Sequence, residues 1–428
     1  MNSITIFWFR RDLRLQDNTA LIEALLSRKD VLPIFIFDEQ ILNELPADDS
    51  RVNFIYDNLN EIDQKLKTKN SSILCLKGNP IKVWEELIQT YSIKSVFVNK
   101  DYEPYARTRD ANIETLLVSN GIEFLSFKDQ VIHEENEVLK KDGSPYTVFT
   151  PYKNKWLEIY KSKSPNYSVP YKNLLQKERP FPGLQELGFK RSSIKVRDFD
   201  ISQIGNYSET RNFPDLDATS YLGPHLRFGT VSIRTIISKL KPSDQVFLSE
   251  LIWREFFMQI LFHFPKVVTQ NFKPKYDGIK WLNNEADFEN WCNGDTGYPM
   301  VDAGMRQLNE TGYMHNRVRM ITAGFLCKHL LIDWRLGEAY FAKKLLDYEL
   351  SSNNGNWQWA AGTGCDAAPY FRIFNPISQL NKFDKNETYV KHWIPELNTD
   401  SYPDPIVEHK FARNRALEAY KNGLNNYN

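Results

Sequence analysis

Five short runs rich in β-branched and aromatic residues, at 4–9, 31–37, 73–76, 95–98 and 123–127, alternate with longer amphipathic stretches along the start of the chain. This alternation limits the fold more than any other feature of the sequence. Strands joined through helix-length connections run parallel, and right-handed crossovers place helices on both faces. A doubly wound α/β domain, Rossmann-like in its parallel sheet, is therefore expected over 1–130. Asp17 or Asn18 is positioned to cap the first helix, because Ala20, Leu21, Ala24 and Leu25 fall on one face of it. No GxGxxG follows any of these strands, so the sheet alone does not imply a bound dinucleotide.

A chain of 428 residues exceeds what one core usually organises, which predicts a second domain. Residues 131–204 are richer in Pro, Lys and Ser, with little sustained periodicity, and read as an interdomain linker. From 205 to 428 the apolar spacing is helical, as in Leu251, Phe256, Phe257, Ile260 and Leu261, and an all-α domain is predicted. The Asn-rich end, 422–428, is expected to fray.

The 54 basic residues balance 54 acidic ones, so net charge selects neither a nucleic-acid nor a membrane partner. No run approaches the ~20 apolar residues of a membrane span. The apolar opening is too short for a signal segment, and a cytoplasmic monomer is the expectation. The four cysteines form no CxxC pair and no metal-ligand cluster, which leaves buried thiols and no metal as the reading. Six of the ten Trp fall between 253 and 359, a concentration that asks for a chemical explanation.

Four polar segments inside the helical region carry candidate chemistry. In Glu250-Leu-Ile-Trp253-Arg254-Glu255-Phe256, a carboxylate, an indole and a guanidinium share one face at i, i+3 and i+4; an intrahelical Glu250–Arg254 pair beside a core Trp, a common arrangement, also accounts for them. In Tyr313-Met314-His315-Asn316-Arg317-Val318-Arg319-Met320, Asn316 and Met320 share a face that suits a base or a flat ring, or else a buried helix end. His315 and His263 read as structural, since no Ser or Cys nucleophile accompanies them. In Asp347 to Trp359, Trp357 and Trp359 lie about 200° apart on a helix, so each meets a different partner. Thr219-Ser220-Tyr221-Leu222-Gly223 offers hydroxyls and N–H groups near a helix start, for a phosphate or a plain cap.

Together these segments resemble the photolyase/cryptochrome family, specifically class I cyclobutane pyrimidine dimer photolyases. The resemblance begins at Phe7-Trp8-Phe9-Arg10-Arg11-Asp12-Leu13-Arg14, includes Val148-Phe149-Thr150-Pro151-Tyr152, and is densest from Glu250 through Pro376. It implies an α/β antenna domain, a linker and a helical domain holding FAD. By resemblance the flavin is lined by Tyr207, Thr219, Ser220, Tyr221, Leu222, Gly223, Phe247, Arg254, Arg319, Asp347, Glu349 and Asn353. Arg319 is then paired with Asp347, and Asn353 lies near the flavin N5. Substrate contacts fall on Glu250, Trp253, Asn316, Arg317, Met320 and Trp359, with Arg211 and Gln379 near DNA. Trp357, Trp334 and Trp281 match the family's electron-transfer chain.

What the resemblance implies as activity is light-driven repair of damaged DNA, single- or double-stranded, by electron donation from excited reduced FAD to a flipped pyrimidine dimer. Photolyases that mend six-four photoproducts use a His pair where this chain has Asn316 and Met320. Glu349 stands where many relatives have Asp, and Phe247 where some have Trp. Tyr105 and Ala106 replace the Asn-Glu pair of the folate-antenna subgroup, which leaves a second antenna chromophore open. A cryptochrome-type photoreceptor and a flavoprotein that only binds single-stranded DNA are the alternative readings.

Overall fold

The computed structural model of the protein describes residues 3–162 and 164–425, which divide into two compact units. The first comprises 1–137, 159–199 and 222–241; the second comprises 138–158, 200–221 and 242–428. The expected boundaries at 130 and 204 therefore do not coincide with the packing. The segment expected to be a linker supplies residues to both units, and 222–241, expected in the helical domain, packs with the sheet.

In the first unit the strands β1 (Ile4–Phe9), β2 (Val31–Asp38), β3 (Leu74–Gly78), β4 (Ile93–Asn99) and β5 (Glu123–Phe127) form one parallel sheet in the order β3-β2-β1-β4-β5. The helices α1 (Thr19–Ser27), α2 (Ser50–Lys67), α3 (Pro80–Thr90) and α4 (Pro104–Ser119) make the crossovers. Asn18 caps α1, its side chain accepting from the Leu21 N–H. Strand alternation gives the sheet two cores. Phe7, Phe9, Phe35 and Phe97 pack with Leu21, Leu25 and Leu59 on one face. Ile6, Trp8, Ile34 and Val96 pack with Trp84, Leu87, Ile113 and Leu117 on the other.

Beyond β1, the Arg10–Arg14 stretch turns inward. Arg14 Nη2 and Arg234 Nη2 meet the two oxygens of buried Asp129 at 2.5 and 2.7 Å, while Arg234 Nε reaches Asp17 at 3.0 Å. Asp129 is 1% exposed, and the two guanidiniums hold its carboxyl below the usual range against the cost of burial. Gly229, at φ +68°, sits so close to the Arg11 backbone that a Cβ has no room. These contacts explain why α6 (Leu222–Phe228) and α7 (Ile233–Ser238) belong with the sheet.

The second unit is helical, as expected of most of it. It opens with α5 (Phe149–Ile159), inside the stretch expected to lack structure, and continues through α8 (Gln245–His263), α9 (Glu285–Asn293), α10 (Pro299–Thr311), α11 (Asn316–Gly324), α12 (Trp334–Lys344), α13 (Leu350–Ala361), α14 (Pro376–Phe383), α15 (Thr388–Trp393) and α16 (His409–Asn425). The core gathers Trp291, Met300, Val318, Phe325, Trp334 and Trp357. The Asn-rich end does not fray at 422: α16 continues through Asn425, with Tyr420 fully buried, while 426–428 lie outside the described residues. Among the described residues no helix is long and apolar enough to cross a membrane, and no group of His, Cys, Asp or Glu is arranged to hold a metal. All four thiols are unpaired, and burial pushes each up, that of Cys292 to about 12.

Candidate active site in the helical unit

Helix α13 packs against both α8 and α11, and the three present a common break in burial. On α8, Glu250, Trp253 and Arg254 are half-buried between the buried Leu251, Ile252 and Glu255. On α11, Asn316 is exposed and Arg317, Arg319 and Met320 are half-buried, while Val318 and Ile321 are core. On α13, Asn353, Asn356 and Trp359 lie opposite the buried Asn354, Trp357 and Gln358. A stripe of polar and aromatic groups is thus left off the core at helical spacing on each helix. Close approach is built in at Gly355, where an added Cβ would overlap the Phe257 ring of α8.

The charges on this surface pair in a way the α8 sequence does not show. Glu250 Oε1 meets Arg211 Nη1 at 2.7 Å, so its ion pair leaves the helix for a distant segment instead of using Arg254. Burial raises the Glu250 carboxyl, with Arg211 opposing the shift. Arg211 also lies over the Tyr207 ring at 5.3 Å, and Tyr207 meets Phe247 edge-on at 5.2 Å. Burial and the Glu250 charge push the Tyr207 phenol to about 12. Arg317 donates to Asn212 Oδ1 at 2.6 Å and covers the Phe383 ring at 4.5 Å. His315 caps α11 by accepting from the Arg317 N–H, and burial holds its imidazole at about 4, which keeps it neutral.

Trp253 is stacked on Phe149, with centroids 3.7 Å apart and planes 9° off parallel. Phe149, which opens α5, is itself fixed by its N–H donating to Asp366 Oδ2 at 3.0 Å. Sequence reasoning gave Phe149 no role beyond the motif it sits in. Trp359 and Met320 line one crevice together with Lys328, Arg372 and Phe374. Gln379 is half-buried on α14.

Arg319 Nη2 binds Asp347 Oδ2 at 2.9 Å, and its Nε donates to the Met314 carbonyl. Asp347 Oδ1 is buried and accepts no hydrogen bond among the described residues. A buried carboxylate oxygen in that state awaits an N–H donor, and the edge of a flavin ring carries one. Asn353 donates to the Glu338 carbonyl and carboxylate at 3.1 and 2.8 Å. Glu349 spends both oxygens on the N-terminus of α13, accepting from Ser351 and Ser352. Thr219, Ser220 and Tyr221 belong to the helical unit, whereas Leu222 and Gly223 begin α6 in the sheet unit. Tyr221 holds a left-handed backbone at φ +53°.

Trp357 is buried edge-on to Phe341 at 4.9 Å and to Trp291 at 6.1 Å. Trp334 is buried with its indole N–H on Asn271 Oδ1 at 2.9 Å. Gly337, one turn beyond Trp334, leaves no room for a Cβ against the Trp357 ring, so α12 sits directly on it. Trp281 is half-buried, edge-on to Tyr420 at 5.9 Å.

Residues 5–170 match the family described as DNA photolyase, and 247–400 match the FAD binding domain of DNA photolyase. The chain belongs to the DNA photolyase family. It is 36% identical to the deoxyribodipyrimidine photo-lyase of Synechococcus over 98% of this chain and 96% of that one. The Escherichia coli enzyme of the same name is also 36% identical, over 97% of this chain and 98% of the relative. Among solved structures, a class III photolyase from Agrobacterium tumefaciens superposes with a TM-score of 0.89 at 33% identity, covering 99% of this chain and 98% of the other. An archaeal photolyase from Sulfolobus tokodaii, solved with two FAD molecules, gives 0.86 at 35% identity, covering 98% and 99%. Family membership spans subclasses: the Agrobacterium neighbour is class III, whereas class I was expected. The helical unit is accordingly the FAD-binding domain of a flavoprotein related to DNA repair enzymes, and the orphaned Asp347 oxygen fits that cofactor.

Proposed function

We propose that this photolyase-family chain splits cyclobutane pyrimidine dimers in DNA under blue or near-UV light. The observation that carries the reading is the half-buried Glu250–Arg211 pair set beside Trp253, with Asn316 and Met320 on α11, which packs on the same α13, where a six-four enzyme would need two histidines. Bound FAD, in its reduced form, supplies a light-excitable electron donor.

The residues of the chain supply the rest. A lesion must leave the duplex, at a cost of a few kcal/mol that is least for an already distorted pair, and must then be received between aromatic walls. Trp253, backed by Phe149, and Trp359 are those walls. Burial raises the Glu250 carboxyl while Arg211 opposes the shift; when it carries a proton, Glu250 donates a hydrogen bond to a pyrimidine carbonyl and stabilises the charge that develops there. Asn316 reads a base edge through its amide, and Met320 packs on the ring. Arg319 orients Asp347 so that Oδ1 accepts from the cofactor. Arg211, Arg317 and Gln379 hold the strand near the cavity, which gives an affinity that falls with salt and carries little sequence preference. Trp357, Trp334 and Trp281 relay electrons inward from solvent.

The test is to expose reduced protein and a thymine-dimer oligonucleotide to blue light or darkness and to count intact dimers by chromatography. Loss of dimers only in the light is expected. Dimers that survive illumination in a yellow, photoreducible protein would overturn repair of this lesion and favour a photoreceptor.

A further inference from the structure

Directly after α11 the backbone makes a π turn, Phe325–His329. Such turns insert an extra residue and swing the following side chains out of helical register, often at functional sites. Here the residue redirected is Lys328, which is only 2% exposed. Its Nζ donates to the Tyr370 carbonyl at 3.2 Å and lies 3.9 Å from the centre of the Tyr420 ring on α16. Tyr420 is stacked on the Tyr370 ring, 5.7 Å away and 8° from parallel, and is pinned by its hydroxyl donating to the Ala361 carbonyl. Lys328 therefore joins three elements: the π turn, α16 and the stretch at 362–375 that links α13 to α14.

That stretch contains neither helix nor strand; its own backbone contributes a turn in which the Arg372 N–H donates to the Pro369 carbonyl at 2.9 Å, and other elements supply further fixing, as the Phe149 N–H does at Asp366. It nevertheless contributes Arg372 and Phe374 to the crevice that Met320 and Trp359 also line, and the Lys328 side chain reaches the same crevice. Lys328 makes no salt bridge among the described residues, and burial draws its ammonium down to about 7. A lysine buried without a counter-ion is expensive to keep. Its partners are a carbonyl and an aromatic face, both belonging to the elements it joins.

We propose that Lys328 is a positioning residue for lesion binding: by tying the Tyr370 carbonyl to the Tyr420 ring it fixes the 366–374 segment, and so sets Arg372 and Phe374 at the substrate crevice. The proposal rests on the repair reading above for its substrate, but the ordering of the segment is measurable without it.

Hydrogen exchange of the 366–374 amides and steady-state repair of a dimer oligonucleotide are compared in the full-length holoprotein for wild type, Lys328→Met and Lys328→Arg. Lys328→Met should speed exchange of those amides and raise KM about tenfold, with kcat and flavin content held within about twofold. Lys328→Arg, which can still donate to the carbonyl and lie on the ring, should recover most of the KM. Unchanged exchange and KM in Lys328→Met overturn the proposal, as does a fall in kcat at constant KM. Should Lys328→Met not fold, Tyr420→Leu removes the ring and leaves the lysine; it must also loosen 366–374, or the proposal fails. If wild type repairs nothing in light, the repair reading falls, and the exchange data alone decide the role of Lys328.

Discussion

Asp302, in the first turn of α10, is fully buried and accepts four hydrogen bonds. Oδ1 takes the Thr296 N–H at 2.8 Å and its hydroxyl at 2.6 Å; Oδ2 takes the Gly297 N–H at 3.0 Å and the Tyr402 hydroxyl at 2.6 Å. Asp302→Ala strands all four donors. The two backbone N–H groups cannot turn away, and each costs about 1–3 kcal/mol when left unsatisfied. The hydroxyls can rotate, losing only a charge-assisted bond. A total of about 3–5 kcal/mol follows, the range for breaking a buried polar network, against whole-protein stabilities of about 5–15 kcal/mol. Asp302→Asn keeps one accepting oxygen and should lose about half as much. Urea unfolding followed by tryptophan fluorescence reads the effect, because eight of the ten tryptophans lie in the helical unit. The damage should reach the site as well, since α10 packs directly on α11. A change below about 1 kcal/mol in Asp302→Ala would refute the reasoning that these donors have no other partner.

Glu250→Gln should leave flavin content unchanged yet flatten the pH profile of repair, which in wild type declines as pH rises through the raised carboxyl value; a profile of the same shape in both proteins would remove Glu250 from proton donation. His315, held neutral at about 4, and His329, held at about 3, must charge on unfolding in acid, so stability falls as pH drops below the ordinary imidazole value of about 6.5. His315→Asn, which can still cap α11, should reduce that slope in urea melts at successive pH values. Trp357→Phe should stop photoreduction of the flavin while leaving chemically reduced protein able to repair, a difference read by absorbance after illumination. Asp347→Asn should weaken FAD retention on dialysis if Oδ1 accepts a flavin N–H as proposed, because the amide can turn a donor toward it.

The sheet was legible because β1, β2 and most of β4 are buried on both faces, which forces continuous apolar runs, and because the half-exposed edge strands β3 and β5 are still set off by helix-length stretches. The candidate faces of α8, α11 and α13 were legible as faces for a related reason: residues withheld from the core recur at 3.6-residue spacing, as Glu250, Trp253 and Arg254 do. Pairing across the chain left no such mark. Glu250 finds Arg211 and Trp253 finds Phe149 only after the chain folds back, and nothing local to either helix encodes the partner. The π turn was equally hidden, since one additional residue in a helical turn alters no composition or period that a short apolar run can display. The linker reading failed because 159–199 and α5 are held by partners elsewhere in each unit, as when Trp156 donates to buried Glu255 at 2.7 Å.

The interleaving of the two units bears on synthesis and on dissection. At about 5–20 residues per second, ~100 residues of chain separate Asp129 from Arg234, so Asp129 has Arg14 but waits roughly 5–20 s for its second guanidinium, and Asp17, made earlier, waits about twice as long. The early piece of the helical unit waits a similar time, with Phe149 and Trp156 bare until α8 brings Trp253 and Glu255. Each unit therefore passes through nascent states with apolar surface uncovered, which is when a holding chaperone has something to bind. For the same reason no single cut in the chain frees either unit whole: a fragment ending at 137 keeps Arg14 but lacks the Arg234 half of the clamp on Asp129, and one beginning at 242 lacks Phe149, the support of Trp253.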